Sequence, residues 1–500
     1  TPGLAHERQK KAVEVCRDVF AGTLHMRTRA GKYLPMFPKE KPEDYDRRLN
    51  EAVLFNGFRR TIKGLVGLVF SKEPALGDDV PPPIKAHMKD VDLEGRDITE
   101  FGMDHFEDAM IDGHAGIFVD FQEVDTGALK SLAEEKAAGL RPYWIPLRKQ
   151  QILKFSTARI AGRRMLSLLR WIETSEEDDG RWGEKSVERV REYRLAVLRN
   201  ENTGERRLGV QWSLYELQKT TAGKDVWALA KSGNLGIMDE IPLAVTYTNR
   251  TGYLESEPPL LDLGLENIKH WQKRSDKDNV EHVACVPIFV TKGVSEKDLK
   301  GFSIGPTVGL NLEGKATEVD AAYVEIQGAG LEASRESLKD VEHRMAILGL
   351  SMLMSETRQA ETATSKRIDK SESDAQLVSM GRGLGLGLWE ALRFTAKWEG
   401  LERGGTITVN RDFERKLLDS QMVQALLAAV DRGKLSMETF WDALRRGEVL
   451  TEGFDPKLEK ARIEAEGSGE ADEKIIAALK QLRAQRLGAG EDEEDDDAAA

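Results

Sequence analysis

The chain has 500 residues, 40% hydrophobic and 32% charged, the balance of an ordinary soluble protein with enough length for two to four domains. Its formal net charge of -13 is concentrated at one end, where residues 491–497 are seven consecutive acids that leave about -6 for the rest; a mildly acidic body argues against a protein that grips nucleic acid by charge. Two distant cysteines, Cys16 and Cys285, without metal-ligand spacing argue against a disulfide framework or zinc site and for synthesis in a reducing cytoplasm.

Residues 5–30 read as helix, and two prolines in Tyr33-Leu-Pro-Met-Phe-Pro38 break the pattern. Residues 44–70 form the clearest early helical block, running from Tyr45 through Asn56 into an almost wholly apolar stretch, 61–70, that calls for burial. Lys72-Glu-Pro-Ala-Leu76 closes it, since the residue before proline is pushed out of the helical region. A helix over 100–111 leads through Asp112-Gly-His-Ala-Gly116 into a strand at 117–121. Segments 141–146, 167–174, 185–198, 211–217, 225–230 and 241–247 alternate as strands, with a helix-like insertion at 150–155. Trp171, Trp182, Trp212 and Trp227 fall in this β-rich region and are expected as core and rim packing.

A helix then starts near Pro258, with Leu261, Leu265 and Ile268 as its apolar face, and passes into the polar run 272–279. Such a segment fits a helix leaving a core for solvent or a subunit seam. Residues 283–291 read as a strand, 301–326 as glycine-rich short strands, and 334–350 as a helix with Leu338, Val341, Met345 and Leu348 on one side.

Residues 358–401 organise the chain. The front half mixes both charge signs at three- and four-residue spacing, and the back half carries Leu384, Leu388, Leu392 and Trp398 at helical intervals, so the pattern predicts one long helix. Gly381, Gly383, Gly385 and Gly387 sit where the halves meet, each costing about 1 kcal/mol against alanine in a helix interior. They predict a kink or a close crossing; a loop between two separate helices is the alternative. A short strand at 406–410 follows, then a helical pair at 420–431 and 436–446 with Ser436 as N-cap, and a charged helix over 456–487. The acid and alanine tail is expected to be disordered.

The usual chemical motifs fail. The glycine run reads G-x-G-x-G-x-G, which lacks the Gly-Lys-Ser/Thr ending of a phosphate loop and the preceding strand of a dinucleotide fingerprint. His270 and His282 flank one polar segment without sharing a helical face, and no Gly-x-Ser-x-Gly elbow occurs. His105 with Glu107 and Asp108, near His114, is the one imitation of an acid-base cluster. No cofactor or metal is called for, no apolar run reaches bilayer length, and no signal peptide is evident. Because the chain begins at Thr1 and not Met, further N-terminal residues are expected.

The order of elements suggests a relationship. The 45–70 block with Lys72-Glu-Pro-Ala-Leu76, then Arg141-Pro-Tyr-Trp-Ile-Pro146, Pro259-Leu-Leu-Asp-Leu263, and Ala360-Glu-Thr-Ala-Thr-Ser-Lys-Arg-Ile-Asp369 together resemble the portal proteins of tailed bacteriophages. The resemblance spans about residues 30–465 and is nearest the branch once catalogued only as an uncharacterised phage domain. It implies an α+β portal fold: a β-rich wing over 1–255, a first stem helix over 256–281, a small α/β clip over 282–330, and a second stem helix over 331–350. A tunnel loop over 351–362, a kinked spine helix with return strand over 363–416, a helical crown over 417–466 and a charged tail over 467–500 would follow.

The resemblance further implies a ring, usually of twelve copies, at one capsid vertex of the virion, made in the host bacterial cytoplasm. Double-stranded DNA would pass through it in packaging and ejection, and the terminase large subunit, a head-tail connector or adaptor and the major capsid protein would be its partners, with no membrane. On that reading Met352, Met354, Arg358 and Gln359 lie near the channel, where a Met-rich, weakly charged segment adapts to passing DNA. Lys273, Arg274 and Asp276, with Lys366, Arg367, Asp369, Lys370 and Glu372, are candidates for the subunit interface, and the four glycines mark the spine kink. Two competing expectations are a hydrolytic or nucleotide-handling enzyme with a non-contiguous acid and histidine site at His105 or His114, and a monomeric adaptor with an acidic recruitment tail.

Overall fold

The computed structural model of the protein describes residues 2–122, 139–178, 180, 182–199, 206–219, 225–284, 288–292, 320–324, 329–349, 363–413, 420–446, 450 and 454–468. The fold is mixed α+β. The chain divides into two compact units, Thr1–Arg411 and Asp412–Ala500.

The first unit opens with helices α1 (Leu4–Ala21), α2 (Thr23–Thr28), α3 (Ala30–Tyr33), α4 (Pro42–Glu51) and α5 (Gly57–Val69). The expected continuous block over 44–70 is therefore two helices. Chain 52–56 is non-helical because Asn56 caps α5, its side chain accepting from Arg59 N–H at 2.8 Å and donating to Val19 O at 2.8 Å. As the composition of 61–70 demands, Phe58, Thr61, Ile62, Leu65, Val66 and Val69 of α5 are all buried. A two-residue strand β1 (Ala75–Leu76) and helices α6 (Pro82–His87) and α7 (Ile98–Asp112) follow. Asp97 caps α7 by accepting from Thr99 and Glu100 N–H, and left-handed Gly113 ends it.

Two sheets carry the β-rich region. Strand β2 (His114–Phe121) is central to the first, flanked antiparallel by β3 (Pro142–Arg148) and β9 (Leu243–Tyr247). The second is a five-stranded antiparallel meander: β4 (Ile152–Ile160), β5 (Arg163–Asp178), β6 (Glu184–Arg199), β7 (Arg206–Lys219) and β8 (Asp225–Leu235). The expected helix-like insertion at 150–155 is a single 3-10 turn over Lys149–Gln151 running into β4, where pairing of Ile152 with Trp171 and Phe155 with Leu169 overrides local preference. Trp171 stacks on Tyr193, with ring centroids 4.9 Å apart, against Phe118 of β2, which joins the two sheets. Trp171 is core as expected; Trp182 is neither core nor rim, standing fully in solvent at the β5–β6 turn.

Short strands β10 (Arg250–Gly252) and β11 (Glu255–Ser256) lead to helix α8 (Leu261–Ala284), the antiparallel pair β12 (Ile288–Lys292) and β13 (Asp320–Val324), and helix α9 (Ala329–Leu348). The helix thus extends past the expected strand start at 283, and the strand begins at Ile288. Helix α10 (Ala363–Trp398) runs 36 residues without interruption and lies against β9 and β2, burying Leu384, Leu388 and Leu392. Strand β14 (Ile407–Thr408) pairs with β1.

The second unit holds α11 (Ser420–Asp431), α12 (Met437–Arg446) and α13 (Pro456–Ser468). Its core is Phe440, Trp441 and Leu444, packed by Val423, Leu426, Val430 and Phe454. Ser436 Oγ accepts from Thr439 N–H at 3.1 Å, the cap read from the sequence. The acidic tail and Cys285 lie outside the described residues.

Candidate functional site

Helices α8 and α9 lie side by side, and their cross-links run in reverse order along the two chains, which makes the pair antiparallel. Arg344 Nε donates to Glu266 at 3.2 Å, His270 Nε2 meets Glu342 at 3.2 Å, Lys273 Nζ bonds Ser337 Oγ, and Arg335 donates to Glu281 at 3.3 Å. The inner stripe of α8 is Leu263, Asn267, Trp271 and Ser275, spaced by four, with Ile268 and His270 beside it. Asn267 ties this stripe to α5: its oxygen accepts from Phe58 N–H at 3.0 Å and its amide donates to Phe55 O at 2.9 Å. That bond pair sets the rotation of α8, and it corrects the expected apolar face. Leu265 points outward, 48% exposed, as do Val280 and, on α9, Ile347. Val341 and Met345 face inward as the sequence predicts.

The charged candidates on α8 engage their own chain. Lys273 bridges to α9, Arg274 lies 3.7 Å from Asp278 one turn on, and Asp276 is held above the usual carboxylate range by burial, with Arg48 opposing and Glu40 adding to the rise. Lys366, Arg367, Asp369, Lys370 and Glu372 fall in the first part of α10, and their side chains are outside the described residues. Met352, Met354, Arg358 and Gln359 also lie outside them.

The glycine run divides by face. A Cβ on Gly383 would collide with the Tyr247 carbonyl, and one on Gly387 with the side chain of Thr246, so these two let α10 cross β9 at backbone distance. Gly381 and Gly385 have ordinary space, their nearest neighbours 3.7 Å from a built Cβ. They border a groove of about 370 Å³ between α10 and residues 406–411 that also exposes Leu386 and Trp389.

The histidines of the competing enzyme reading are buried, in two separate settings. His105 Nε2 lies 2.9 Å from Thr246 Oγ1, and burial pushes its pKa down to about 4. His114 Nδ1 lies 2.7 Å from Ser256 Oγ and is held well below its ordinary value by burial and by Lys149. Lys149 Nζ donates to Asp112 O, Ser256 O and Ser256 Oγ at 2.8–3.0 Å, and burial brings it down to about 8 against the pull of Asp112. Arg17 grips both oxygens of Asp112, at 2.8 and 2.7 Å, and one of Asp108 at 2.6 Å. Burial pushes the neighbouring Cys16 thiol up to about 12, leaving it protonated.

This network fastens the end of α7 to α1, β2 and β11. Ser256 Oγ, held by His114 and Lys149, is spent on those contacts and does not line the adjacent cavity. That cavity, about 700 Å³, is open between the start of α1 and β4, with His114 and Lys149 at its floor. In the sequence His105 and His114 stand out only as polar residues near acids; Lys149 carries no signal, since nothing local marks a lysine that folds back onto a helix end. Among the described residues no group of three metal-ligating side chains occurs, and no helix is long and apolar enough to cross a membrane.

Residues 259–399, which include α8, β12, β13, α9 and α10, match the family described as "Domain of unknown function (DUF4055)". A chain of the "Virion of native gene transfer agent (GTA) particle" is similar over 82% of this chain and 95% of its own, at 10% identity and a TM-score of 0.37. No curated protein matches.

Proposed function

We propose that the chain is a portal protein of the tailed-phage type, a non-enzymatic virion component. Copies close into a ring, dodecameric in the family it resembles, at one capsid vertex, and double-stranded DNA moves through the ring in packaging and ejection. The arrangement between Leu261 and Trp398 carries this reading: two long antiparallel helices, separated in sequence by an antiparallel strand pair, then a 36-residue helix. Helices α8 and α9 are the stem, 282–330 the clip that meets the terminase large subunit and the head-tail connector, 351–362 the tunnel loop, and α10 the spine.

Two further features support it. Leu265, Val280 and Ile347 leave apolar surface on a helix pair already cross-linked by polar bonds, as a ring contact between unlike faces requires. A body of mildly acidic charge lets DNA slide, because each neutralised phosphate would add affinity and friction. Light scattering and electron micrographs of the purified chain test the proposal: a large ring with a central hole is expected, and a strictly monomeric species under capsid-assembly conditions overturns it. Arg358→Glu is expected to alter packaging while leaving rings intact.

A further inference from the structure

Trp182 is fully exposed at the turn joining β5 to β6, two strands of 16 residues each. Its backbone is left-handed, φ 78°, two residues after left-handed Gly180. A bulky residue at such a position is costly where glycine or asparagine would serve, so the turn holds an indole outward against both solvation and backbone preference. Its surroundings are acidic: residues 176–184 contain five carboxylates and one arginine.

The cavity between α1 and β4 has the opposite character. Val13, Ile152, Phe155 and Leu254 give it apolar walls, and Lys10 and Lys154 stand exposed among its lining residues. Neither lysine forms an ion pair among the described residues. At about 700 Å³ it falls in the range that encloses an aromatic group with its flanking backbone. The protomer's own indole is out of reach of it. Ile152, in the cavity wall, pairs with Trp171, and β5 continues seven more residues to Asp178 before the turn, about 23 Å at strand rise.

We infer that the Trp182 turn of one copy docks in the α1–β4 cavity of the next copy, the indole against the apolar walls and the acidic flanks against Lys10 and Lys154. Knob and hole lie on different parts of one chain, so the contact is heterologous and repeats from copy to copy. The inference rests on the ring reading only in requiring that copies associate head to tail. A buried tryptophan ringed by complementary charge is the composition of an interface hot spot.

The test uses the full chain with benzoylphenylalanine at position 182, assembled from a mixture of light and isotope-labelled copies and irradiated after its mass has been measured. Attachment between differently labelled copies, at residues 2–14 or 149–155, is the expected result. Trp182→Ala should also raise the concentration for half-assembly at least about tenfold. Lys10→Glu with Lys154→Glu should do likewise, and Glu176→Lys with Glu184→Lys should restore it. Rings that form while position 182 attaches elsewhere, or not at all, overturn this contact and leave the ring reading standing. A chain that remains monomeric at every concentration overturns both.

Discussion

Gly383 passes beneath the carbonyl of Tyr247 so closely that no side chain fits between α10 and β9. The obstacle is backbone on both sides and cannot swing away, unlike the end of a flexible side chain. Gly383→Ala should therefore lose more by displacing the helix, about 1–3 kcal/mol, than it gains in helix propensity, about 1 kcal/mol. Gly381→Ala, whose Cβ would meet only ordinary van der Waals contacts, should gain most of that propensity term. Urea midpoints of the two variants, one below and one above the parent, check the division of the glycine run into a crossing pair and a permissive pair.

Much of this part of the fold was legible from the sequence. Leu384, Leu388 and Leu392 announced the buried face of α10, and Val341 with Met345 that of α9, because a 3.6-residue apolar period survives any tertiary context that buries one side of a helix. The face of α8 departs from the hydrophobic pattern because its orientation is set by a polar residue. Asn267 is buried to satisfy Phe58 N–H and Phe55 O, and hydrophobic pattern alone gave Leu265 the place it took. Similarly, the 3-10 turn and strand at 149–160 depend on pairing with β5, a contact between segments that no local window contains. The acid–base network was hidden for the same reason: Arg17, Asp112, Lys149 and Ser256 are brought together only by the tertiary fold.

Among the described residues Arg17 is the one cation that grips the Asp112 carboxylate directly, and the carboxylate has no solvent exposure. Arg17→Met should cost about 3–5 kcal/mol at neutral pH, the range for stranding one member of a buried pair. Burial already raises the Asp112 pKa, with Arg17 opposing; without the guanidinium it rises further. A folded-state pKa above the unfolded value gives stability that is present at low pH and lost as pH rises through it. The deficit of the variant should accordingly shrink as the pH is lowered toward 4. Denaturation of Arg17→Met and of Arg17→Met with Asp112→Asn over this range checks the cause, since the second variant should recover much of the loss and its pH dependence.

His105 supplies an acid-sensitive contribution. Its folded-state pKa, about 4, lies below the ordinary 6.5, so the unfolded chain binds a proton that the folded chain refuses between these values. Stability from this group is full above 6.5 and is lost as pH falls through 4, an amount of about 3 kcal/mol. His105→Gln, which can still donate to Thr246, should remove that part of the acid slope. The difference in urea stability between parent and variant, measured from pH 7 to pH 4, should narrow or change sign in favour of the variant as the pH falls.

The outward apolar residues of the α8–α9 pair separate folding from assembly. Leu265 and Ile347 are 48% and 60% exposed, so replacing each with glutamate removes little that the protomer itself buries, and surface changes of this kind usually stay within about 0.5 kcal/mol. If these side chains meet the next copy in a ring, each glutamate instead buries an unpaired charge at every contact, which costs several kcal/mol per interface and repeats around the circle. Leu265→Glu with Ile347→Glu should then melt like the parent yet sediment as single chains. Rings of unchanged mass would place these residues on a surface that the assembly leaves in water, and would move the stem contacts to the other faces of the two helices.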